Sequence, residues 1–370
     1  MVDVSLVKCA SYDDRAVMAS VKRAVDLIGG IRRFAKKGEK ILLKPNILYG
    51  KPPEAAVTTH PAVLKSVARL VMSAGAMPSV GESSGGPIST VKSAKKAGII
   101  DACEELGIPF IEFRRNRRRK IPEGALMKAF DIAGELEDFN GEISIPKLKT
   151  HTFQTLTGAI KNTFGCVPGM KKIELHVRMQ DRELFASMLL DLHLLIDPRL
   201  NVMDGIMGME GMGPGAGDPI KAGLISASSS GVAMDYVIAK AVKIPEKHIF
   251  VLKEARKRAL LDDISVKGET PESFGVSFRY PQSYKGSLVR TTGIKLLKNM
   301  LTQHPAVRRP FCVGCGRCAM SCPVKAIRMF HGTPRFDYSK CIRCYCCQEL
   351  CPEKAVFLKR PLLMRIMTMK

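Results

Sequence analysis

Through the first three hundred positions, short apolar runs closed by turn signals alternate with segments whose apolar residues recur every three or four positions. The runs EKILLKP (39–45), MPSVGE (77–82), IPFIEF (108–113), EISIPK (142–147), RLNVMDGI (199–206), KAGLISAS (221–228) and HIFVL (248–252) predict strands. Between them, HPAVLKSVARLVMSAGA (60–76), STVKSAKKAGIIDACEELG (89–107), DRELFASMLLDLHLLI (181–196) and GVAMDYVIAKAV (231–242) predict helices that stop near Gly or Pro. Strands alternating with helices predict an α/β architecture with a mainly parallel sheet flanked by helices. Ligands of such sheets sit beyond the C-terminal ends of the strands. The polar residues there are Lys44-Pro45-Asn46, GESSGG (81–86), PKLKTH (146–151), and Asp204-Gly205 ahead of GMEGMGPGAGDP (208–219).

This pattern ends near residue 280. The division it suggests is an α/β domain over 1–285, a basic connector with one helix over 286–307, a small module over 308–360 and a basic, apolar tail over 361–370. Nine of the twelve cysteines follow residue 310. CVGCGRCAMSCP (312–323) and CIRCYCCQELCP (341–352) both fit C-x2-C-x2-C-x3-C-P, offset by 29 positions, and the flanks VKAIRM and EKAVFL repeat too. Three close thiolates hold three corners of an iron–sulfur cube, and the cysteine before proline completes the other cube. Cluster one takes Cys312, Cys315, Cys318 and Cys351, and cluster two takes Cys341, Cys344, Cys347 and Cys322. Closure by the opposite half couples metal binding to folding. Zinc would need only four ligands, usually as two separated pairs. Cys346 breaks the spacing of the first half, so symmetry leaves it a free thiol. The module resembles bacterial-type ferredoxins with two 4Fe-4S clusters, which implies a small α+β fold, a duplicated βαβ-type unit.

Ahead of the cysteines, LLKPN (42–46), VTTHP (57–61), GES (81–83), PKLKTH (146–151), TGAIKNTFGCVPG (157–169) and DGIMGMEGMGPGAGDP (204–219) together resemble domain-of-unknown-function family 362. That family is often fused to this kind of ferredoxin. The resemblance spans about residues 1–290 and implies an architecture, not a reaction.

The residue types add chemistry. Lys44, Lys147, Lys149 and Lys161 with His60 and His151 form an expected electropositive loop surface for a carboxylate or phosphate, with Asn46 and Asn162 as binding, turn or cap residues. The glycines of GESSGG and GMGPGAG permit close backbone approach, and a helix starting near Ser89 offers its N-terminus to an anion. Neither fits a nucleotide fingerprint. His151, Lys149, Glu82 and Asp204 are the acid–base candidates, with Glu210 on the same face. Neighbouring lysines are expected to depress His151 by like-charge repulsion. Cys166 is expected to be a buried spectator thiol.

The formal net charge is +23, and residues 301–370 hold thirteen Lys or Arg against three Asp or Glu. The expected partner is therefore an acidic electron donor or acceptor protein. The run RRNRRRK (114–120) is expected to be a solvated loop, since no nucleic-acid-binding pattern accompanies it. No transmembrane run or leader is visible, so a cytoplasmic chain is expected, with peripheral membrane contact through the tail as the weaker alternative. Three readings follow. One is a redox enzyme whose two clusters relay electrons to a small anionic substrate; the others are a non-catalytic carrier or assembly module, and an acid–base isomerase or racemase of a hydroxy acid with structural clusters.

Overall fold

A computed structural model of the chain describes residues 1–85, 88–169, 171–281 and 303–359. The α/β domain contains β1 (Val2–Lys8), β2 (Lys40–Pro45), β3 (Met77–Glu82), β4 (Phe110–Glu112), β5 (Asn116–Lys120), β6 (Ala129–Ala133), β7 (Gly141–Ile145), β8 (Lys147–His151), β9 (Thr155–Thr157), β10 (Leu200–Glu210), β11 (Asp218–Ser228) and β12 (Ile264–Gly268). The main sheet runs β12-β1-β11-β10-β7-β2-β3-β4, with β8 on β10 and β9 on β8. Pairing is parallel along β10-β7-β2-β3-β4, between β10 and β8 and between β1 and β12. It is antiparallel where β11 joins β1 and β10, and where β9 joins β8.

Helices α1 (Asp14–Asp26), α2 (Pro61–Ser73), α3 (Thr90–Lys96) and α4 (Ile99–Leu106) cover one face. Helices α5 (Ala159–Asn162), α6 (Lys171–Arg178), α7 (Arg182–Ile196), α8 (Gly231–Ala241) and α9 (Phe250–Lys257) cover the other. Alternation along each strand divides the core. Ile41 and Leu43 of β2 join the first helix layer, while Leu42 between them packs on Phe113 and Ala133. Helix α2 buries Val63, Leu64, Val67 and Val71 along one stripe, each worth about 1.5–3 kcal/mol of transfer free energy.

Several expected elements change form. HIFVL is no strand: residues 250–257 form α9, because FVLKEARK carries its buried Val251, Leu252 and Ala255 at helical spacing. The helix expected over 89–107 is two helices, divided at Gly98, whose φ of 70° stops α3. Residues 116–120 of the basic run are a strand rather than a loop, in a hairpin with β6. Four of its five arginines are paired, Arg114 to Glu112, Arg115 to Asp138, Arg117 to Glu137 and Arg118 to Asp131. The KLKTH loop is β8 itself.

The C-terminal module comprises β13 (His304–Val307), α10 (Arg317–Met320), β14 (Ile327–Phe330), β15 (Thr333–Phe336), α11 (Cys346–Glu349) and β16 (Val356–Lys359). Each half is a βαβ unit, and β13 pairs with β16 as β14 pairs with β15. Residues 304–307, placed in the connector from the sequence, thus belong to the module. The rest of the expected connector, up to residue 302, and the tail lie outside the described residues. Among the described residues, no helix is long and apolar enough to cross a membrane.

Candidate functional site

The two cysteine motifs bring their sulfurs together as the spacing requires. Cys312, Cys315, Cys318 and Cys351 line one cavity. Burial raises the Cys318 thiol to about 11, with Cys351, Cys315 and Cys312 pushing the same way. Around the second set, burial raises Cys347 well above the ordinary thiol value and Cys344, Cys341 and Cys322 add to it. Cys322 is raised by burial, then by Cys344 and Cys341. None of these cysteines forms a disulfide. Among the described residues no three Cys, His, Asp or Glu side chains converge on a point where a lone ion would sit. Two rings of four mutually opposed thiols need positive charge at their centres to ionise, and with four thiols at each the residues fit two 4Fe-4S groups.

Cys346 lies off both rings. Its side chain is buried, hydrogen-bonds with Cys344, and sits within electrostatic reach of Glu349 and Lys161. The extra thiol therefore faces the α/β domain.

There, the expected electropositive surface is instead an interior. Lys44 and Lys147 are 0% exposed, and Lys149 and His151 are buried as well. Lys44 at the end of β2 meets Glu82 at the end of β3, Nζ to Oε2 2.8 Å. Burial pulls this ammonium down, but the charge of Glu82 above all outweighs it, and its pKa ends above the ordinary value. A methyl on Gly165 would collide with both partners, so the glycine makes room for the pair. Cys166 donates to Glu142 Oε2 at 3.5 Å and is held neutral by burial, as a spectator should be. Glu142 is itself raised to about 7 by burial, against the pull of Lys44.

Along β8, alternate side chains share a face. Lys147 Nζ donates to Asp204 Oδ2 at 2.8 Å and to the Tyr12 hydroxyl at 2.7 Å, and that hydroxyl donates to Asp204 Oδ1 at 2.8 Å. Lys149 Nζ donates to Val57 O at 2.6 Å, and burial puts its pKa well below the ordinary value. His151 Nδ1 accepts from the backbone N–H groups of Phe153 (3.0 Å) and Gln154 (3.2 Å), which leaves the proton of a neutral ring on Nε2. That atom lies 3.3 Å from Glu349 Oε1, at an angle that makes no hydrogen bond. His151 is depressed mainly by burial; the expected repulsion is secondary, from Lys161, then His176 and Lys149.

Not every expected ligand faces an opening. His60 caps α2, accepting from Ala62 N at 3.2 Å while its ring stacks on Tyr12 at 3.6 Å. Asn162 donates to Lys44 O (3.2 Å) and Ser144 Oγ (2.9 Å), and Asn46 donates to Asn162 Oδ1 (3.1 Å), so both brace the strand ends. Glu210 takes Arg279 Nε at 2.7 Å and stands apart from the lysines. Ser89 caps its own helix through Lys92 N, and Thr90 N donates to Glu112, so that N-terminus is spoken for. Gly215 allows close approach of Tyr49 and of the Glu349 backbone rather than of a ligand. Lys161 is half-buried; burial lowers its pKa, against Glu349 and Cys346.

The sequence reading missed Tyr12, Lys172 and Glu349. Lys172 donates to the Ser83 and Ser84 carbonyls, and its pKa falls to about 8 through burial. Glu349 carried a usable signal as a rare carboxylate in a basic module; Tyr12 carried none. Glu349 is raised to about 7 by burial, while Lys161 and Lys149 pull it down. Its helix α11 locks onto the site's rim: Thr152 Oγ1 donates to Gln348 Oε1 at 3.2 Å, and Gln348 Nε2 donates to Met212 O at 3.1 Å.

Parts of the chain are similar to known proteins. The chain is 38% identical over 237 residues, 64% of its length and 73% of the other's, to a thylakoid-associated protein of Synechocystis sp.. It is 40% identical over 48 residues to one component of an ion-translocating oxidoreductase complex from Methanosarcina acetivorans, spanning 18% of that protein. Among solved structures, the lactate racemase apoprotein of Thermoanaerobacterium thermosaccharolyticum overlaps 63% of this chain and 57% of its own, at 11% identity and a TM-score of 0.39. Residues 311–355 match a 4Fe-4S dicluster domain. Residues 41–240, over half the chain, match the domain of unknown function DUF362, and the protein belongs to that family.

Proposed function

We infer that the chain is an iron–sulfur redox enzyme in which the lysine–histidine interior of the α/β domain receives a small anionic substrate and the second half of the module serves that interior. When bound, the clusters supply one-electron chemistry at low potential. The observation that carries the reading is the seat of α11. The helix that holds Cys347 also places Glu349 3.3 Å from His151 and within the field of Lys149 and Lys161. A carrier that only visits other proteins has no need to seat a cluster-ligating helix on buried lysines.

The chain's own residues divide the work. Lys149 and Lys161 offer cationic or neutral amine donors to a carboxylate or phosphate, and the Glu349 carboxylate occupies the position such a group would take. His151, fixed by two backbone N–H groups, presents Nε2–H as a hydrogen-bond donor. The Lys44–Glu82 and Lys147–Asp204 pairs hold strand ends in place, and breaking a buried pair leaves an uncompensated charge.

The test is spectroscopic. Iron-loaded protein is reduced with dithionite and mixed with 2-hydroxy and 2-oxo carboxylates and inorganic phosphate, one at a time. At least one should shift the electron paramagnetic resonance signal or reoxidise it, and Lys149→Ala should abolish the response with iron content unchanged. A signal indifferent to every anion, or an equal response in Lys149→Ala, sinks the enzyme reading and leaves the carrier. Turnover of a hydroxy acid by protein held in one oxidation state would favour the racemase.

A further inference from the structure

We propose that the first half of the iron–sulfur module is a docking surface for an acidic one-electron carrier protein. The proposal rests on the electron-transfer reading above and adds to it the place of exchange and the chemistry of the partner.

The cavity ringed by Cys312, Cys315, Cys318 and Cys351 reaches the surface, since Cys315 is exposed. Its mouth is apolar: Phe311 and Val313 line it at 58% and 68% exposure, with Met329 beside them. Exposed apolar groups gathered at one mouth mark an interaction site more than scattered ones do. Aromatic, Met and Arg side chains are the types that interface centres favour.

Arg317 lines the cavity and Arg309 adjoins Phe311 at its mouth, in a module where residues 301–370 hold thirteen Lys or Arg against three Asp or Glu. Among the described residues, Arg308, Arg309, Arg317, Arg328 and Arg335 take part in no ion pair, and Glu353 is the one carboxylate lining the cavity. Arg328 and Arg335 face each other directly across the β14–β15 hairpin, whose Met329 and Pro334 line the cavity from its other face. Like charges placed opposite one another in a strand pair are destabilising. The basic run at 114–118 instead holds Arg114, Arg115, Arg117 and Arg118 beside Glu112, Asp138, Glu137 and Asp131. Arg309 and Arg317 have no such partner among the described residues, so an acidic protein would supply it.

Charge complementarity thus names an acidic protein, and the exposed cysteine at the centre of the patch names its task. One electron leaves the carrier, which is oxidised by one unit, and enters the module, which is reduced by one; no bond or proton changes hands. Complementary charge acts chiefly on encounter, raising association rates and making them salt-dependent.

The experiment uses the full, iron-loaded chain, an acidic plant-type 2Fe-2S ferredoxin as probe, and vesicles of phosphatidylcholine with phosphatidylglycerol as the competing anionic surface. Calorimetry of the oxidised proteins should show affinity falling about tenfold as ionic strength rises through 0.1 M. The double variant R309E/R317E, and R309Q/R317Q as a milder pair, should weaken binding and slow stopped-flow reduction by the probe about tenfold or more at low salt. Reduction by dithionite and iron content should stay at the wild-type level, and R117E/R118E on the ion-paired hairpin should behave as wild type. Affinity that ignores salt and R309E/R317E, or binding of vesicles lost in R309E/R317E without any binding of the probe, overturns the proposal. Failure of dithionite to reduce the loaded chain overturns the electron-transfer reading itself, a separate result.

Discussion

The two halves of the module share a spacing and differ in everything the spacing leaves free. At an offset of 29 positions, Gly314 and Gly316 of the first half stand opposite Arg343 and Tyr345 of the second, Arg317 opposite Cys346, and Met320 opposite Glu349. All four of the first-named backbone positions have φ between 62° and 71°. Glycine adopts that conformation freely, whereas Arg343 and Tyr345 each cost about 1 kcal/mol or more. What offsets the strain at Tyr345 is docking: its ring meets Phe153 edge-on at 6.3 Å and its hydroxyl donates to Gln303 O at 3.1 Å. The first half keeps its glycines and turns Met320 outward at 57% exposure. Divergence after duplication has made one half a mouth and the other a root.

Exchanging residues between the halves is the direct way to break this comparison. Cys346→Arg, which imports the first half's residue, should bring a buried guanidinium up against Lys161 and cost about 4 kcal/mol. Denaturant titration of iron-loaded protein reads the loss, and Cys346→Ser should keep full iron content. An arginine tolerated at this position would mean that α11 does not bury its face as described.

The floor beneath Tyr345 should respond to acid. His176 stacks on Phe185 at 4.6 Å, beside Phe153, and burial with some help from Lys161 lowers its pKa to about 3. Because the folded value lies below the unfolded one of about 6.5, the unfolded state binds the proton more readily. Stability from this group is complete above about pH 6.5 and is lost as pH falls towards 3. The loss is about 3 kcal/mol between pH 6.5 and 4. In His176→Phe, which keeps a ring and cannot protonate, the stability curve over that range should be flatter by that amount; parallel curves would disprove the assignment.

Tyr345→Gly relieves the left-handed strain but removes the ring and its hydrogen bond, for a net loss of about 2 kcal/mol. Its sharper signature is local: faster amide exchange at α11 than at α10. Met320→Glu, the reverse import, should change stability by no more than about 0.5 kcal/mol, because the side chain is already in water. A large effect there would mean that the first half is covered in solution.

The grouping of the cysteines was legible because a motif in sequence is a motif in space: C-x2-C-x2-C places its own sulfurs around one centre. The strands and most helices were legible through periodicity, except where a short apolar run such as HIFVL fits either period. The burial of the lysines was not legible. KLKTH reads as a half-exposed strand or a polar loop, and nothing local says that Lys147 meets Asp204 from 57 positions away, or that His151 meets Glu349 from the far end of the chain. A charge at a strand end looks the same whether it faces water or a distant carboxylate. Pairings so long in sequence are fixed by topology, and topology is where the reading of an open anion-binding surface gave way to a closed interior.

The seat of α11 also sets which way the second ring opens. Cys346, Cys347, Gln348 and Glu349 are all buried once the helix lies on β8 and its neighbours. Cys322, Cys341 and Cys344 stay partly exposed. The second centre is thus shut towards the α/β domain and open to water on its other side, so iron can reach it after the helix has docked.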